Sequence, residues 1–125
     1  LDQAVRLGLK PEGGFAESPY AFTEADLLRG KALYQSFCAI CHGARGEGDG
    51  RAIPLGVPKP RSYHDPAVRD QPEGYFYFAA TNGFGRMLPY KSRIPERERW
   101  LIAHYIKRCL LSEACPEEVV HAEVH

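Results

Sequence analysis

Cys38-Ala39-Ile40-Cys41-His42 places two thiols three residues apart and sets an imidazole against the second. A glycine-rich polar run, Gly43 to Gly50, follows at once. Three uses compete for such a pair. A thioredoxin-like redox pair requires a preceding strand and a surrounding βαβ pattern, and neither is legible here. A zinc site requires a second ligand pair at knuckle-like spacing. Cys109 and Cys115 are separated by five residues, lie far along the chain and fall partly in a helical pattern. The third use is covalent haem attachment, whose signature is C-x-x-C-H.

The chemistry explains that spacing. Each thiol adds across one vinyl group of the porphyrin, and both thioethers must reach the same macrocycle edge. Two intervening residues in a helical turn bring the sulfurs to that separation. The next residue then points beneath the ring, where an imidazole nitrogen meets iron. His42 is therefore the candidate proximal ligand. For the opposite side the chain offers a single methionine, Met87, within "TNGFGRMLPY". A methionine that fills a core gap sits more naturally on an apolar helix face, whereas Met87 lies between Arg86 and Leu88 in a turn-rich segment. Thioether sulfur favours reduced iron and raises the potential. The rival ligands are His64, His104, His121 and His125. His104 falls in a helical pattern and the last two lie in a polar tail, so placement leaves His64 as the open alternative.

Composition excludes other classes. A length of 125 residues points to one domain. Sixteen basic and sixteen acidic residues cancel, so no long-range field argues for nucleic acid or an anionic membrane surface. The longest apolar runs are far too short to span a bilayer. No signal peptide precedes Leu1, which leaves a mature or trimmed product as an expectation.

Three helices frame the motif. "TEADLLRGKALYQSF" opens with Thr23 as N-cap and Asp26 as the acidic partner of a capping box. Leu27, Gly30, Tyr34 and Phe37 then recur on one face. A glycine inside a helix costs about 1 kcal/mol relative to alanine, so Gly30 predicts a close backbone crossing, with Tyr105 and Ile102 as the expected neighbours. "IPERERWLIAHYIKRCLL" starts at Pro95 with Glu96 and Glu98 in its first turn. Trp100, Ala103, Ile106 and Leu110 form its apolar stripe. "QPEGYFYFAATNG" reads as a shorter third helix ended by Asn82-Gly83. The stretch "GDGRAIPLGVPKPRSYHDP" is too rich in glycine and proline for regular structure and must wrap something.

In this order, the parts resemble a class I c-type cytochrome: Gly30 with Tyr34, Cys38 through Gly50, a wrapping loop, Met87, and Glu98-Arg99-Trp100 with Tyr105-Ile106. The stretch "YFYFAATNGFGRMLPYKSRIPERERWLIAHYI" is similar to the monohaem cytochromes that accompany alternative complex III, a quinol-oxidising respiratory complex. In many relatives proline follows the ligand methionine directly, whereas here Leu88 intervenes before Pro89. The resemblance implies an all-α class I cytochrome c fold around one covalently bound haem c. It covers residues 23–112, between an N-terminal extension (1–22) and a C-terminal extension (113–125). It implies thioethers at Cys38 and Cys41, and His42 and Met87 as axial iron ligands. A proline carbonyl is expected to accept a bond from the ligand histidine, with Pro54 and Pro58 as candidates. Arg61, Tyr63 and Tyr75 are candidates for the haem surroundings.

With both axial positions filled, iron has no site for substrate, which points to an electron carrier rather than an enzyme. The expected donor is a quinol-oxidising complex and the expected acceptor a haem-copper oxidase. The expected location is the periplasm or the outer face of the cytoplasmic membrane. A haem-based gas or redox sensor with a displaceable Met87 is the alternative, and a zinc-stabilised module using four cysteines is a third. In an exported chain Cys109 and Cys115 are expected either to pair or to remain a buried small residue and a free thiol.

Overall fold

The computed structural model describes residues 3–124; Leu1, Asp2 and the candidate His125 lie outside the described residues. Among the described residues, seven α-helices appear in the order α1 (Gln3–Leu7), α2 (Glu24–Phe37), α3 (Ala39–His42), α4 (Pro66–Arg69), α5 (Glu73–Asn82), α6 (Glu96–Tyr105) and α7 (Glu117–His121). A 3-10 turn spans Ile53–Leu55, and α6 runs on as a π-helical turn over Ile106–Leu110. Among the described residues there is no strand, only isolated bridges pairing Leu9 with Phe15 and Phe84 with Met87.

The start of α2 follows its sequence signal. Thr23 Oγ1 accepts from the Asp26 backbone N–H at 3.1 Å, and the Asp26 carboxylate accepts from the Thr23 N–H at 2.8 Å. The bond from the Thr23 backbone is the main reason that the Asp26 carboxyl lies below its ordinary pKa. α5 ends where Gly83 adopts φ +76° and its N–H bonds to Ala79 O.

α6 is the spine, apolar on several sides. Leu101 and Tyr105 meet α2 at Gly30, where an added Cβ would lie 3.2 Å from Leu101 Cγ and 3.2 Å from Tyr105 Cβ. The crossing is as expected, but Leu101 takes the place anticipated for Ile102. The reason is rotational: Ile102 and Ile106, one turn apart, line a partly open cavity instead. A third side carries Trp100, stacked on Tyr77 of α5 with ring centroids 4.1 Å apart.

Segments before α2 and after α6 are docked on this core. Tyr77 Oη donates to Arg6 O at 2.6 Å, and Gly74 N–H donates to Ala16 O at 2.7 Å. At the other end the buried Lys31 ammonium donates to the carbonyls of Val119, Val120 and Ala122 at 2.7, 3.0 and 2.8 Å. Cationic donation of this kind satisfies the carbonyls that a helix C-terminus leaves free, and here it fixes α7 to α2. A disulfide joins Cys109 to Cys115, with Cα atoms 4.5 Å apart. That bond removes two of the four thiols required by the zinc module. No cluster of three or more His, Cys, Asp or Glu suited to a metal ion occurs among the described residues.

Candidate functional site

The chain turns sharply after α2, and Cys38 serves as both its C-cap and the N-cap of α3. The His42 and Cys41 N–H groups both donate to Cys38 O, at 2.9 and 3.2 Å, which winds the motif into one helical turn. The Tyr34 hydroxyl, fully buried, donates to Gly43 O at 2.6 Å and ties that turn to α2. Two adjoining chambers open beside it, with volumes of about 480 and 360 Å³. Cys38, His42, Pro60, Phe84 and Met87 border both, and Cys41 borders the larger.

Met87 reaches this place through a short loop. Its N–H donates to Phe84 O at 2.8 Å, and its carbonyl accepts from the Phe84 N–H at 3.2 Å. Beyond it, Tyr90 N–H donates to Ala80 O at 2.8 Å, and Tyr90 Oη donates to Phe37 O at 3.2 Å. The buried Arg99 guanidinium donates to the carbonyls of Lys91 and Ile94 at 3.1 and 2.5 Å, and to the Thr81 hydroxyl at 3.0 Å. The methionine loop is thereby fastened to α2, α5 and α6 together.

The other candidates fall unevenly. Tyr63, Arg61 and Tyr75 border the smaller chamber, and Pro58 the larger. Pro54 sits exposed in the 3-10 turn and borders neither. Most of the Arg61 side chain is in solvent, 3.8 Å from Asp65. His64 is exposed, with Nε2 2.8 Å from Arg45 O, and lines neither chamber. His104 faces Glu73 at 3.2 Å, and His121 faces Glu117 at 2.9 Å. Phe37, Phe84 and Tyr90, which border the larger chamber, were not among the site residues expected from sequence, where Phe37 was read only as part of a helix face. The available hint was the position of Phe84 and Tyr90, three residues to either side of Met87.

The site accepts a haem on its own evidence. Cys38 and Cys41 are both free although a second cysteine pair in the same chain is bonded. Burial, with a smaller effect from Cys41, pushes the Cys38 thiol up to about 12. Burial also pushes His42 down to about 4, so its ring is neutral at physiological pH, the state that can donate a lone pair to a metal. The Nδ1 atom of His42 is buried with no hydrogen-bond partner, so the expected bond to the carbonyl of Pro54 or Pro58 is not made in this structure. The lining is mainly aromatic and aliphatic, and its size falls in the range of small-molecule sites.

Residues 25–106 match the protein-family model described as cytochrome c oxidase, cbb3-type, subunit III. No curated protein matches significantly. Among solved structures, the chain is similar to one from the Kuenenia stuttgartiensis reducing HAO-like protein complex, at 27% identity and TM-score 0.61. That alignment covers 76% of this chain and 47% of the other, so this chain spans under half of that relative's length. The c-type cytochrome KustC0563 aligns at 21% identity and TM-score 0.52, over 62% of this chain and 93% of its own. Cytochrome cL from the marine methylotroph Methylophaga aminisulfidivorans aligns at 18% identity and TM-score 0.53, over 99% of this chain and 83% of its own. The last two are likenesses of fold.

Proposed function

We propose, from the premise that this chain belongs to the cbb3-type cytochrome c oxidase subunit III family and carries a covalently bound haem c, that it passes single electrons through an iron held by His42 and Met87. The observation that carries this reading is the convergence of Cys38, His42 and Met87 on both chambers. The bound haem supplies a one-electron iron couple. Cys38 and Cys41 would hold the haem through thioethers, each S–H adding across one vinyl double bond with sulfur on one carbon and hydrogen on the other, so that no oxidant is needed. His42 would offer the iron its neutral imidazole, and Met87 would offer it a thioether. The loop bonds at Phe84 and Arg99 hold the thioether in place, so little rearrangement need accompany a change of charge on iron.

An exposed edge suits such a carrier. Phe84 is 50% exposed and Leu88 70% exposed, and both border the larger chamber, as does Val57. This favours transfer to and from other proteins over turnover of a small substrate. Among the described residues no helix is long and apolar enough to cross a membrane. The partners that this reading favours are a quinol-oxidising complex as donor and a haem-copper oxidase as acceptor, outside the cytoplasm.

The test is optical. Oxidised holoprotein should show a low-spin spectrum with the weak near-infrared band of iron–thioether ligation, and Met87→Ala should abolish that band and lower the potential. A band absent from wild type, or persisting in the variant, would overturn the Met87 assignment. A five-coordinate ferrous wild type would instead support the sensor.

A further inference from the structure

We infer that Tyr63 sets the rotational orientation of the His42 imidazole and so acts as a positioning residue for the axial ligand; this rests on His42 being that ligand. A ligating histidine is ordinarily steered by a hydrogen bond from its second ring nitrogen to a carbonyl, carboxylate or water. His42 has no such protein bond, since Nδ1 is buried without a partner. Its ring face is covered instead. Tyr63 stacks on it with centroids 4.7 Å apart and planes 19° from parallel.

Tyr63 is itself held from several directions. Its backbone N–H donates to Gly46 O at 2.8 Å. Gly46, at φ +77°, turns a bare Cα toward the ring, where any Cβ would collide with the Tyr63 side chain. Phe76 stands edge-on at 5.3 Å, with planes 85° apart. Parallel and edge-on contacts are both favourable aromatic geometries, so the ring has a defined plane. A neighbour fixed parallel to the imidazole resists rotation of that imidazole about its bond to iron.

The plane of an axial imidazole decides which iron d orbital its π electrons overlap, and magnetic anisotropy in the oxidised state reports it. The experiment compares Tyr63→Phe and Tyr63→Leu holoproteins by electron paramagnetic resonance and by the paramagnetically shifted haem methyl resonances. Tyr63→Phe keeps the ring and should reproduce the wild-type g-values and methyl pattern. Tyr63→Leu should shift both. Unchanged spectra in Tyr63→Leu, or an equal change in Tyr63→Phe, overturn the proposal.

If Tyr63→Leu takes up no haem, ferrous wild-type holoprotein decides. Nuclear Overhauser contacts between the ring protons of Tyr63 and His42 are expected, and their absence overturns the steering role. In the same spectrum the porphyrin ring current moves the His42 ring protons far upfield if His42 is on iron. Without that shift the ligand assignment itself fails, whereas the shift without the Tyr63 contact removes only the inference about Tyr63.

Discussion

Tyr34 shows how one hydroxyl can hold a site. Its 2.6 Å bond to Gly43 O is buried and lies immediately beyond His42. Burial is also the main reason that its own pKa is raised. Tyr34→Phe removes the donor and leaves a carbonyl unpaired, at a cost of roughly 1–3 kcal/mol. Denaturant titration of the holoprotein should show an earlier midpoint with the Soret band of the folded state intact. An unchanged midpoint would mean that water replaces the hydroxyl without penalty. At this scale the sequence was most legible where chemistry restricts the residue type. Two thiols, one histidine and a sole methionine stood out as candidates because few other side chains bind a haem. Tyr63 was visible only as one aromatic among many. Its stack on His42 depends on a fold around Gly46 that no local periodicity announces.

At the scale of elements, α2 and α6 meet where a missing side chain lets them. Gly30→Val would press a branched side chain against Leu101 and Tyr105, each already 3.2 Å from an added Cβ. Overpacking of this kind typically costs about 1–3 kcal/mol. A lowered melting temperature is expected at normal haem content, and wild-type melting would show that the crossing can open without penalty. The long helices were readable because each carries its own signals: the capping box of α2, the Asn82-Gly83 stop of α5 and the Pro95 start of α6. α1 carries no comparable signal, and α7 has a start signal, Pro116 before Glu117 and Glu118, but no length of apolar periodicity behind it. Each is five residues long, below the length at which a helix sustains itself in water. They depend on tertiary partners, Tyr77 for the first and Lys31 for the second. The exchange of Ile102 for Leu101 has a similar origin. A helix that buries several faces shows more than one apolar stripe, and periodicity alone does not say which stripe meets which neighbour.

Across the whole molecule, zero formal charge conceals a segregation. Segments 51–61 and 84–93 contain Arg51, Lys59, Arg61, Arg86, Lys91 and Arg93 and not one acidic residue. Lys59 and Arg86 border the larger chamber with the exposed Phe84 and Leu88. A local positive field can therefore orient an encounter even though the net charge cannot. Arg86→Glu with Lys91→Glu should slow electron exchange with an acidic protein partner by about tenfold or more at low ionic strength, within the range of electrostatic steering. The deficit should shrink as salt is added. Equal rates at low salt, measured by stopped flow, would show that these cations do not guide docking. The all-α class I cytochrome c fold thus brings cations and exposed apolar side chains together at the border of the larger chamber.

The Cys109–Cys115 pair also bears on how the chain matures. Four cysteines allow three complete pairings; each would consume the thiols that the proposed thioether bonds require, and two do so by bridging Cys38 and Cys41 to Cys109 and Cys115. Loop closure becomes entropically harder as the loop lengthens. Partners only six positions apart therefore meet sooner than either meets Cys38 or Cys41. Early closure near the C-terminus would remove a competing nucleophile before cofactor attachment. Cys115→Ser leaves Cys109 free to attack across the molecule. Expression of that variant under oxidising conditions should yield more chain lacking haem, with a Cys109–Cys38 or Cys109–Cys41 bridge detectable by peptide mass mapping. Cys109→Ser with Cys115→Ser should restore the haem yield. A normal yield in Cys115→Ser alone would mean that attachment outruns mispairing without this protection.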